Sequence, residues 1–458
     1  MKNNNPDSRR TFLKTLSHSV AGAALSPMLT AASGVESRTR PMRRVNPQYS
    51  ANDMIQLAII GYGGMGTADT NTALQVPGTR LVAACDLYDG RLDAVRQAHG
   101  QDLFTTRDYR DILDRKDVDA VIIATPDHWH KDIAVEAMRK GKAVYVEKPM
   151  VHDISEGPEM IAAQRQFKGI LQVGSQGMSS LGNEKAKELY EAGAIGQLNY
   201  AEGFWARNSP FGAWQYEIPA DASEKTVDWN RFLHQLPYRP FDAKRFFRWR
   251  CYRDYGTGVS GDLFVHLFSS LHFIVSSKGP ERIMATGGLR YWKDGREVPD
   301  VLLGMFDYPE TPEHPAFNLS LRVNFVDGTG DSTYLRLVGS EGSMNVQWDK
   351  VTLTRSQSYD PADDPLSATK GRQQGESIVY QRKKILPPNQ TIYTVEKGYK
   401  GPHFDHFYNL FTAMRGGAPT KEDSSFGFRA AAPALLCNDS YFKSEIIHWN
   451  PEKMQLVK

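Results

Sequence analysis

The stretch Met54-Ile-Gln-Leu-Ala-Ile-Ile-Gly-Tyr-Gly-Gly-Met-Gly66 decides how the N-terminal half of this chain folds. Its apolar run, residues 57–60, is typical of a short strand that is buried on both faces. The run leads directly into Gly61-x-Gly63-x-x-Gly66, and a helical segment follows. In this pattern the first glycine permits a tight turn, the second lets the backbone approach a pyrophosphate, and the third lets the helix pack closely on the strand. The start of the helix then offers unpaired N–H groups to phosphate oxygens.

A carboxylate stands after the next predicted strand, at the spacing that dinucleotide-binding units use. The strand Leu81-Val-Ala-Ala-Cys85 ends at Asp86, which lies 20 residues after Gly66. A carboxylate here accepts a hydrogen bond from the ribose 2′-hydroxyl of NAD and would repel the 2′-phosphate of NADP. The sequence therefore predicts a dinucleotide site that prefers NAD to NADP. The residues expected to bind the cofactor in this part of the chain are Gly61, Tyr62, Gly63, Gly64, Met65, Gly66 and Asp86.

Strands and helices alternate up to about residue 177. Buried strands are predicted at 118–124, 143–146 and 170–173, with helices at 131–140 and 153–167 between them. This alternation predicts an α/β fold, a doubly wound parallel sheet of the Rossmann type, in which ligands bind beyond the carboxyl ends of the strands. The residues at those ends that we expect to reach the cofactor are Thr125, Pro126, His128, Trp129, His130, Glu147, Lys148 and Gln176. Packing in the core is an equally good interpretation of Trp129.

From about residue 178 the pattern changes to aromatic-rich sequence followed by antiparallel strands. Strands are predicted at 281–291, 300–307, 317–326, 333–338 and 343–353, and helices at 402–415 and 425–440. The polar residues 355–390 indicate a surface loop or insertion. The sequence thus predicts a Rossmann domain at 54–177 and, at 178–458, an α+β domain with a large, open, mainly antiparallel sheet. The C-terminal helices, 402–440, are placed to pack back on the first domain.

The N-terminal segment has the pattern of a protein-export signal. Ser8-Arg9-Arg10-Thr11-Phe12-Leu13-Lys14 is followed by a mildly apolar stretch at 20–25 and by small residues at 30–33 that suit a signal peptidase. We expect residues 1–33 to be a twin-arginine signal peptide that directs the folded, soluble protein to the periplasm through the twin-arginine export machinery. No cysteine lies near the cleavage region, which argues against a lipid anchor. Residues 34–53 are polar and are expected to form a linker or arm.

The composition of the 458 residues excludes several classes of partner. Hydrophobic residues make up 40% and charged residues 24%, as in an ordinary globular protein. The formal net charge is only +2, and the basic N-terminal segment carries it, so no nucleic acid or anionic membrane is implied. The cysteines, Cys85, Cys251 and Cys437, are too few and too scattered for a disulfide framework or a metal cluster, and the histidines are dispersed. We expect no metal site.

Three motifs stand in order along the chain: Gly61-x-Gly63-x-x-Gly66, Glu147-Lys148-Pro149 and Gly258-x-x-x-Asp262-x-x-x-His266. Together they resemble the Gfo/Idh/MocA (glucose–fructose oxidoreductase / inositol dehydrogenase) family over about residues 54–455. The resemblance implies that NAD or NADP is held tightly between a Rossmann domain and an open-sheet substrate domain. It implies oxidation or reduction of hydroxyl and carbonyl groups on sugars, glycosides or inositols. The segments 125–130 and 248–252 resemble an exported branch, and in related branches some members oxidise the 3-hydroxyl of a glycoside.

The catalytic candidates are Lys148, Asp262 and His266. Asp262 and His266 lie four residues apart on a predicted helix and would share one face of it; taken alone this spacing favours a surface ion pair, and the glycine-rich entry and Glu147-Lys148-Pro149 favour a catalytic pair instead. His266 is the natural proton acceptor, Lys148 the positive donor to the reacting oxygen, and Asp262 could orient the imidazole or bind the substrate. The candidates for binding a carbohydrate substrate are Arg207, Trp214, Arg248, Arg250 and Tyr252.

Two alternative functions differ from a dehydrogenase in what they require of these motifs. A redox-assisted glycosidase keeps NAD bound, and that branch of the family usually departs from Glu-Lys-Pro, whereas this chain retains Lys148. A non-catalytic nucleotide-binding sensor would be expected to have lost Lys148 or His266, and both are present. An exposed sheet face in the second domain would favour a homo-oligomer.

Overall fold

The structure is a computed structural model that describes residues 35–42, 49–50, 53–355 and 389–457. The predicted signal peptide, parts of the predicted linker and nearly all of the predicted loop at 355–390 lie outside these ranges. Within them, no helix is both long and apolar enough to cross a membrane. The first described element is strand β1 (Val35–Arg40), which lies at one edge of a large sheet.

The first of two sheets contains six parallel strands in the spatial order β4-β3-β2-β5-β6-β7. These strands are β2 (Ile55–Ile60), β3 (Thr79–Cys85), β4 (Phe104–Thr106), β5 (Ala120–Ile123), β6 (Ala143–Val146) and β7 (Leu171–Val173). The helices between and beside them are α1 (Gly64–Ala73), α2 (Asp89–His99), α3 (Tyr109–Leu113), α4 (His130–Arg139) and α5 (Gly157–Phe167). Every residue of β5 and β6 is buried, as expected of an apolar strand covered on both faces. The predicted Rossmann sheet is confirmed.

The turn from β2 into α1 is built on two glycines that no other residue could replace without displacing the backbone. Gly61 has φ +93°, and a Cβ there would lie 2.6 Å from the carbonyl oxygen of Ala124. A Cβ on Gly66 would overlap the carbonyl oxygen of Gly61. By contrast, a Cβ on Gly64 would meet nothing within 4 Å. The turn is therefore closed on the side of the sheet and open towards the crevice beyond the strand ends.

The second sheet has eleven strands in the spatial order β1-β15-β14-β13-β12-β8-β11-β10-β9-β16-β17. Its further strands are β8 (Leu198–Ala206), β9 (Arg282–Gly288), β10 (Val301–Tyr308), β11 (Phe317–Asn324), β12 (Ser332–Gly339), β13 (Gly342–Val346), β14 (Lys350–Arg355), β15 (Asn389–Val395), β16 (Ile447–Asn450) and β17 (Gln455–Leu456). Neighbouring strands are antiparallel except in the pairs β1–β15 and β8–β11, which are parallel. The predicted large, mainly antiparallel sheet is confirmed. The described part of the predicted linker contributes its edge strand β1.

One strand prediction was wrong in a way that matters for the site. Residues 343–353 form a hairpin of β13 and β14 rather than one strand, because the chain turns between Gln347 and Lys350. Trp348 sits at the tip of this hairpin, and its carbonyl oxygen accepts a hydrogen bond from the N–H of Gly182 at 2.9 Å. The hairpin tip thereby docks on the segment that follows the first sheet.

The remaining helices join the two sheets. They are α6 (Leu181–Glu191), α7 (Trp229–Leu233), α8 (Ala243–Phe247), α9 (Val265–Val275), α10 (Pro402–Met414) and α11 (Ser424–Lys443). One face of the first sheet packs on α10, where the ring of Phe407 stacks on Tyr145 with 4.3 Å between centroids. The other face, with Ile60 and Val146, belongs to a core shared with α9, α11 and the second sheet. A π-helical turn, Ser260–Phe264, leads directly into α9.

Residues 207–256, which we call the cover segment, reach from the second sheet back over the strand ends of the first. The N–H of Asp228 donates to the carbonyl oxygen of Leu87 at 2.8 Å, and that of Asp89 donates to Thr226 at 3.0 Å. The hydroxyl of Tyr88 donates to Asp221 at 2.6 Å. These contacts close the crevice over the strand ends from above and make it a cavity.

Candidate active site

A cavity of ≈ 590 Å³ lies between the carboxyl ends of the first sheet and the start of α9. Its volume falls in the range of pockets that hold small molecules and cofactors. The predicted cofactor residues that line it are Gly61, Gly63, Gly64, Met65, Asp86, Thr125, Pro126, Trp129, Glu147, Lys148 and Gln176. Five separate segments of the first domain are thus brought together at one place, and the three catalytic candidates line the same cavity.

The residues Tyr62 and Gly66 of the glycine-rich turn do not line the cavity. Gly66 is the point where α1 packs on the turn. The hydroxyl of Tyr62 lies 3.0 Å from Nε2 of His99, on the far side of the turn, but its backbone N–H donates to Asp86 at 2.8 Å. Both residues shape the turn from within the protein.

The predicted cofactor contacts of His128 and His130 are not found, because both imidazoles are buried and bonded to backbone carbonyls. Nε2 of His128 lies 2.9 Å from the carbonyl oxygen of Phe232 in the cover segment. His130 bridges two loops, with Nδ1 2.8 Å from the carbonyl oxygen of Pro149 and Nε2 3.0 Å from that of Thr125. Burial lowers the pKa of His128 to about 3 and also lowers that of His130. These histidines hold the loops around the cavity in place.

One end of the cavity is formed around Asp86. Its carboxylate accepts from the N–H of Tyr88 at 3.0 Å as well as from Tyr62, and Nη1 of Arg91 lies 3.5 Å away. The guanidinium of Arg91 lies 5.6 Å and 5.5 Å from the ring centroids of Phe246 and Phe247, which also line the cavity. A buried carboxylate between an open glycine turn and aromatic rings suits an adenosine with free ribose hydroxyls.

Two buried polar atoms inside the cavity wall strengthen the fit to a dinucleotide. Oγ1 of Thr125 and Nε1 of Trp129 have no hydrogen-bond partner among the described residues. Buried polar groups are normally hydrogen-bonded, so these atoms indicate room for a ligand's polar groups. The open turn at Gly63 and Gly64, the N-terminus of α1 and Asp86 would hold the pyrophosphate and the ribose.

Lys148 and Asp262 meet at the other end of the cavity. Nζ of Lys148 donates to Oδ1 of Asp262 at 2.7 Å and to its carbonyl oxygen at 3.0 Å, and Nε of Arg250 lies 3.4 Å from the same carboxylate oxygen. Burial alone would raise the pKa of Asp262, but the two cations outweigh it and hold that pKa well below its usual range. Asp262 is therefore a permanent anion that fixes Lys148. The peptide bond between Lys148 and Pro149 is cis.

His266 lies in an aromatic slot beside this pair. Its ring stacks on Trp205, with 5.2 Å between centroids, and meets the edge of Trp348 at 5.9 Å. Its Nδ1 atom is buried without a hydrogen-bond partner among the described residues. Burial, together with the charges of Lys148 and Arg207, lowers the pKa of His266 to about 3. The imidazole is therefore neutral near pH 7 and has a lone pair that can accept a proton, but the lowered pKa makes it a weaker base than a free imidazole.

The expectation that Asp262 orients the imidazole of His266 is not met in the described part of the structure. No hydrogen bond joins the two side chains there, and the nearby carboxylate does not keep the imidazole protonated. Asp262 lies in the π-helical turn Ser260–Phe264, and its carboxylate is bonded to Lys148. Asp262 acts on Lys148 instead.

Glu147 forms the floor of the cavity. It is buried, and its Oε1 atom accepts a hydrogen bond from Nε2 of Gln176 at 2.9 Å. Burial and the nearby Asp69 raise the pKa of Glu147 to about 8. The carboxyl group is therefore mostly protonated at neutral pH, and its contribution to stability depends on pH.

Glu147→Gln is expected to make the unfolding free energy of the protein fall less steeply as the pH rises from 4.5 to about 8. The raised pKa of Glu147 means that its contribution is complete below the ordinary value of 4.5 and is lost as the pH rises towards about 8. Between these values the wild type should lose on the order of 1 kcal/mol of unfolding free energy per pH unit relative to the variant. Urea unfolding at several pH values measures this difference. Glu310→Gln, at an exposed carboxylate, is the control, and its unfolding free energy should change with pH as that of the wild type does. If the unfolding free energy of Glu147→Gln also changes with pH as that of the wild type does, the raised pKa of Glu147 is contradicted.

The predicted carbohydrate-binding residues divide into two groups. Arg207, Trp214 and Arg250 line the cavity, whereas Arg248 and Tyr252 do not. Arg248 donates from Nε to the carbonyl oxygen of Tyr216 at 2.8 Å and from Nη1 to Gln215 at 2.6 Å, so it holds the cover segment together. Tyr252 is buried beneath the guanidinium of Arg245, 4.2 Å from its ring centroid. Both are structural residues.

Several aromatic residues of the cavity were not predicted individually. The cover segment contributes Phe211, Tyr216, Phe246, Phe247 and Trp249. The aromatic-rich sequence there was a usable signal, although it does not show which rings turn inwards. Trp348 contacts His266 but is not among the residues that line the cavity; it lies at the tip of a hairpin far along the chain, where the sequence carries no comparable signal.

Comparison with known proteins agrees with this site. Residues 55–175 match the family model GFO_IDH_MocA, described as an oxidoreductase family with an NAD-binding Rossmann fold. Over these residues, which form the first sheet and its helices, the chain is similar to the Gfo/Idh/MocA oxidoreductase family. The family resemblance drawn from the three motifs is thereby confirmed, and so is a cofactor of the NAD type.

Curated proteins and solved structures that are similar to this chain include oxidoreductases and glycosyl hydrolases. A glycosyl hydrolase family 109 protein of Shewanella baltica is 29% identical over 245 residues, 49% of this chain and 50% of the relative. Inositol 2-dehydrogenase of Salmonella paratyphi B is 31% identical over 145 residues, 31% of this chain and 43% of the relative. The chain thus spans about half the length of the curated relatives it matches. The WlbA dehydrogenase of Bordetella pertussis, solved with NADH and UDP-GlcNAcA, superimposes with a TM-score of 0.62 at 17% identity, covering 87% of this chain and 99% of that one. This last similarity shows the shared fold.

Proposed function

We propose that this protein is an NAD-dependent oxidoreductase that interconverts a secondary hydroxyl and a carbonyl group on a carbohydrate. The observation that carries the proposal is that Lys148 and His266 line one cavity with the glycine-rich turn and Asp86. A positive donor and a neutral proton acceptor thus lie beside a dinucleotide site. Hydride transfer from an alcohol requires that combination.

Each of the three residues has a distinct part in the proposed reaction. In the oxidising direction, the imidazole of His266 accepts the hydroxyl proton of the substrate. The ammonium group of Lys148 stabilises the negative charge that develops on the same oxygen, and Asp262 holds that ammonium group in place. A bound nicotinamide supplies the acceptor for the hydride. The indoles of Trp214 and Trp249, which line the cavity, suit the C–H faces of a sugar ring.

The relatives support a polyhydroxylated substrate. One is named an inositol 2-dehydrogenase, and the Bordetella structure was solved with a nucleotide sugar. Both names fit a cavity lined by several aromatic rings and by Arg207 and Arg250. More specifically, we propose that the reaction is oxidation of the 3-hydroxyl of a glycoside.

The bound nucleotide is expected to be NAD. Asp86 would repel a 2′-phosphate, while its carboxylate can accept a hydrogen bond from the free hydroxyl. The nucleotide is released by denaturing the purified native protein and identified by mass spectrometry. NADP as the main species would contradict the proposal and would make Arg91, 3.5 Å from Asp86, the partner of the phosphate.

A redox-assisted glycosidase is the second candidate, because relatives at 29% identity are named glycosyl hydrolases of family 109. Such an enzyme would release the aglycone of a glycoside without any net change in its nucleotide. A nitrophenyl glycoside distinguishes the two functions. Release of nitrophenol without accumulation of NADH would favour the glycosidase, whereas accumulation of NADH with an intact glycosidic bond favours the dehydrogenase.

We also propose that the protein is exported folded to the periplasm, on the evidence of the paired arginines Arg9 and Arg10. Export in the folded state would let the Rossmann domain bind its nucleotide in the cytoplasm. Replacing both arginines with lysine should leave the protein in the cytoplasm, as measured by cell fractionation. Normal export of the double variant would contradict this interpretation of the N-terminus.

A further inference from the structure

Arg207 lies directly after strand β8 and lines the cavity. Its Nε atom is buried without a hydrogen-bond partner, and its guanidinium forms no ion pair within the described ranges. Its charge lowers the pKa values of Asp262 and His266. Arg207 therefore faces the catalytic end of the cavity as a cation without a counter-ion.

The charges of that end do not balance. Three cations, Lys148, Arg207 and Arg250, line it; Asp262 forms ion pairs with Lys148 and Arg250, and the buried carboxylate of Asp127 also acts on Arg250. Glu147, on the floor of the cavity, is mostly protonated at neutral pH because of its raised pKa. Glu217 also lines the cavity but is exposed to solvent, which screens its charge. Lys148 and Arg250 are set against Asp262 and Asp127, so one positive charge, that of Arg207, is left over.

Lys148 is paired with Asp262 and has its function in the proposed reaction, where it stabilises the oxygen being oxidised. The surplus charge belongs to Arg207 and would be matched by a single negative charge on the substrate. An arginine fork binds a carboxylate through two parallel hydrogen bonds, and a monoanion completes the balance where a phosphate dianion would exceed it.

We propose that the substrate is a sugar acid or a glycosiduronate and that Arg207 binds its carboxylate. The inference rests on the proposed dehydrogenase function and adds the chemical class of the substrate. Arg207 is then a specificity residue: it raises affinity for acidic substrates and has no part in moving the proton or hydride. Neutral sugars lack the group that it binds.

The test compares acidic and neutral sugars on the NAD-loaded protein. D-glucuronate and D-galacturonate, with their methyl glycosides, are compared with the corresponding glucose and galactose compounds. Arg207→Gln is expected to lower kcat/KM for the acids by about 10- to 100-fold, mainly through KM, and to leave neutral sugars within about threefold. Isothermal titration with glucuronate should show the same loss of affinity without turnover. Arg322→Gln is the matched control, because Arg322 lies on the adjacent strand β11, with its guanidinium bonded to Tyr334 and outside the cavity.

The other possible outcomes of this test contradict either the acidic substrate or the proposed dehydrogenase function. Equal losses of kcat/KM for acidic and neutral sugars would show that Arg207 is needed for every substrate. That result would overturn the inference of an acidic substrate but not the proposed dehydrogenase function. Preference for glucose 6-phosphate over glucuronate, or for glucose over both, would also overturn it while leaving a dehydrogenase. Failure of every sugar, acidic or neutral, to change the redox state of the nucleotide would contradict the proposed function itself.

Discussion

His266→Ala is expected to lower kcat by about 10²- to 10⁴-fold, the usual scale for the loss of a general base. The structure supports this size of effect because the imidazole is neutral near pH 7 and faces the cavity beside Lys148. Bound NAD should be retained, since the predicted nucleotide contacts come from the first domain. Steady-state kinetics and the nucleotide content of the purified variant measure the two effects separately.

His272→Ala is the matched control for this variant. His272 lies on the same helix, α9, is also buried, and also has a pKa lowered to about 3 by burial. Its Nε2 atom lies 2.9 Å from the hydroxyl of Tyr308, away from the cavity. We expect a loss of stability with kcat within about threefold of the wild type. Equal losses of kcat in both variants would mean that His266 acts through the packing of the helix.

Lys148→Ala is expected to lower kcat by about 10²- to 10³-fold, as when one donor to a developing oxyanion is removed. It also leaves the buried carboxylate of Asp262 with Arg250 alone, so a loss of stability of about 3–5 kcal/mol is expected. Kinetics and thermal unfolding on the same preparation measure both effects.

A double variant separates the two consequences of losing Lys148. In Lys148→Ala with Asp262→Asn, the uncompensated buried charge is absent, so most of the stability should return. Turnover should not return, because the positive donor is still missing. Recovery of turnover along with stability would show that Lys148 is needed only to keep Asp262 buried.

The sequence predicted the first domain well because its signals are local. Strands β5 and β6 of the first sheet are apolar and buried throughout, and the positions of Gly61 and Gly66 are required by backbone overlap within the same turn. Residues that follow strand ends, such as Asp86 and Lys148, reach one cavity because all parallel strands end at the same edge. Local pattern and topology together specify their positions.

The errors arose where distant contacts decide what a side chain does. His128 and His130 follow a strand end as Thr125 does, but carbonyl groups of Phe232 and Pro149 bind their imidazoles. Position along a strand does not show which way a side chain turns. The same reason explains the assignment of Arg248, whose partners lie more than thirty residues earlier in the chain.

The geometry of the catalytic helix could not be predicted from spacing alone. Asp262 and His266 are four residues apart, which in a regular helix predicts a shared face. The turn through Ser260–Phe264 is π-helical, and the carboxylate of Asp262 is bonded to Lys148, which follows a strand of the first sheet. Trp348 reaches His266 only because a hairpin from the second sheet docks next to α6.

The central claim is tested most directly by a single-turnover experiment on the NAD-loaded protein. The protein is mixed with a panel of sugars, sugar acids, glycosides and inositols, and the absorbance of the reduced nicotinamide is followed. The account predicts that at least one member of the panel reduces the bound nucleotide in proportion to the protein present, and that His266→Ala slows this step by two or more powers of ten. A nucleotide that stays oxidised with every member, and that as bound NADH is not oxidised by the corresponding keto sugars, would contradict it.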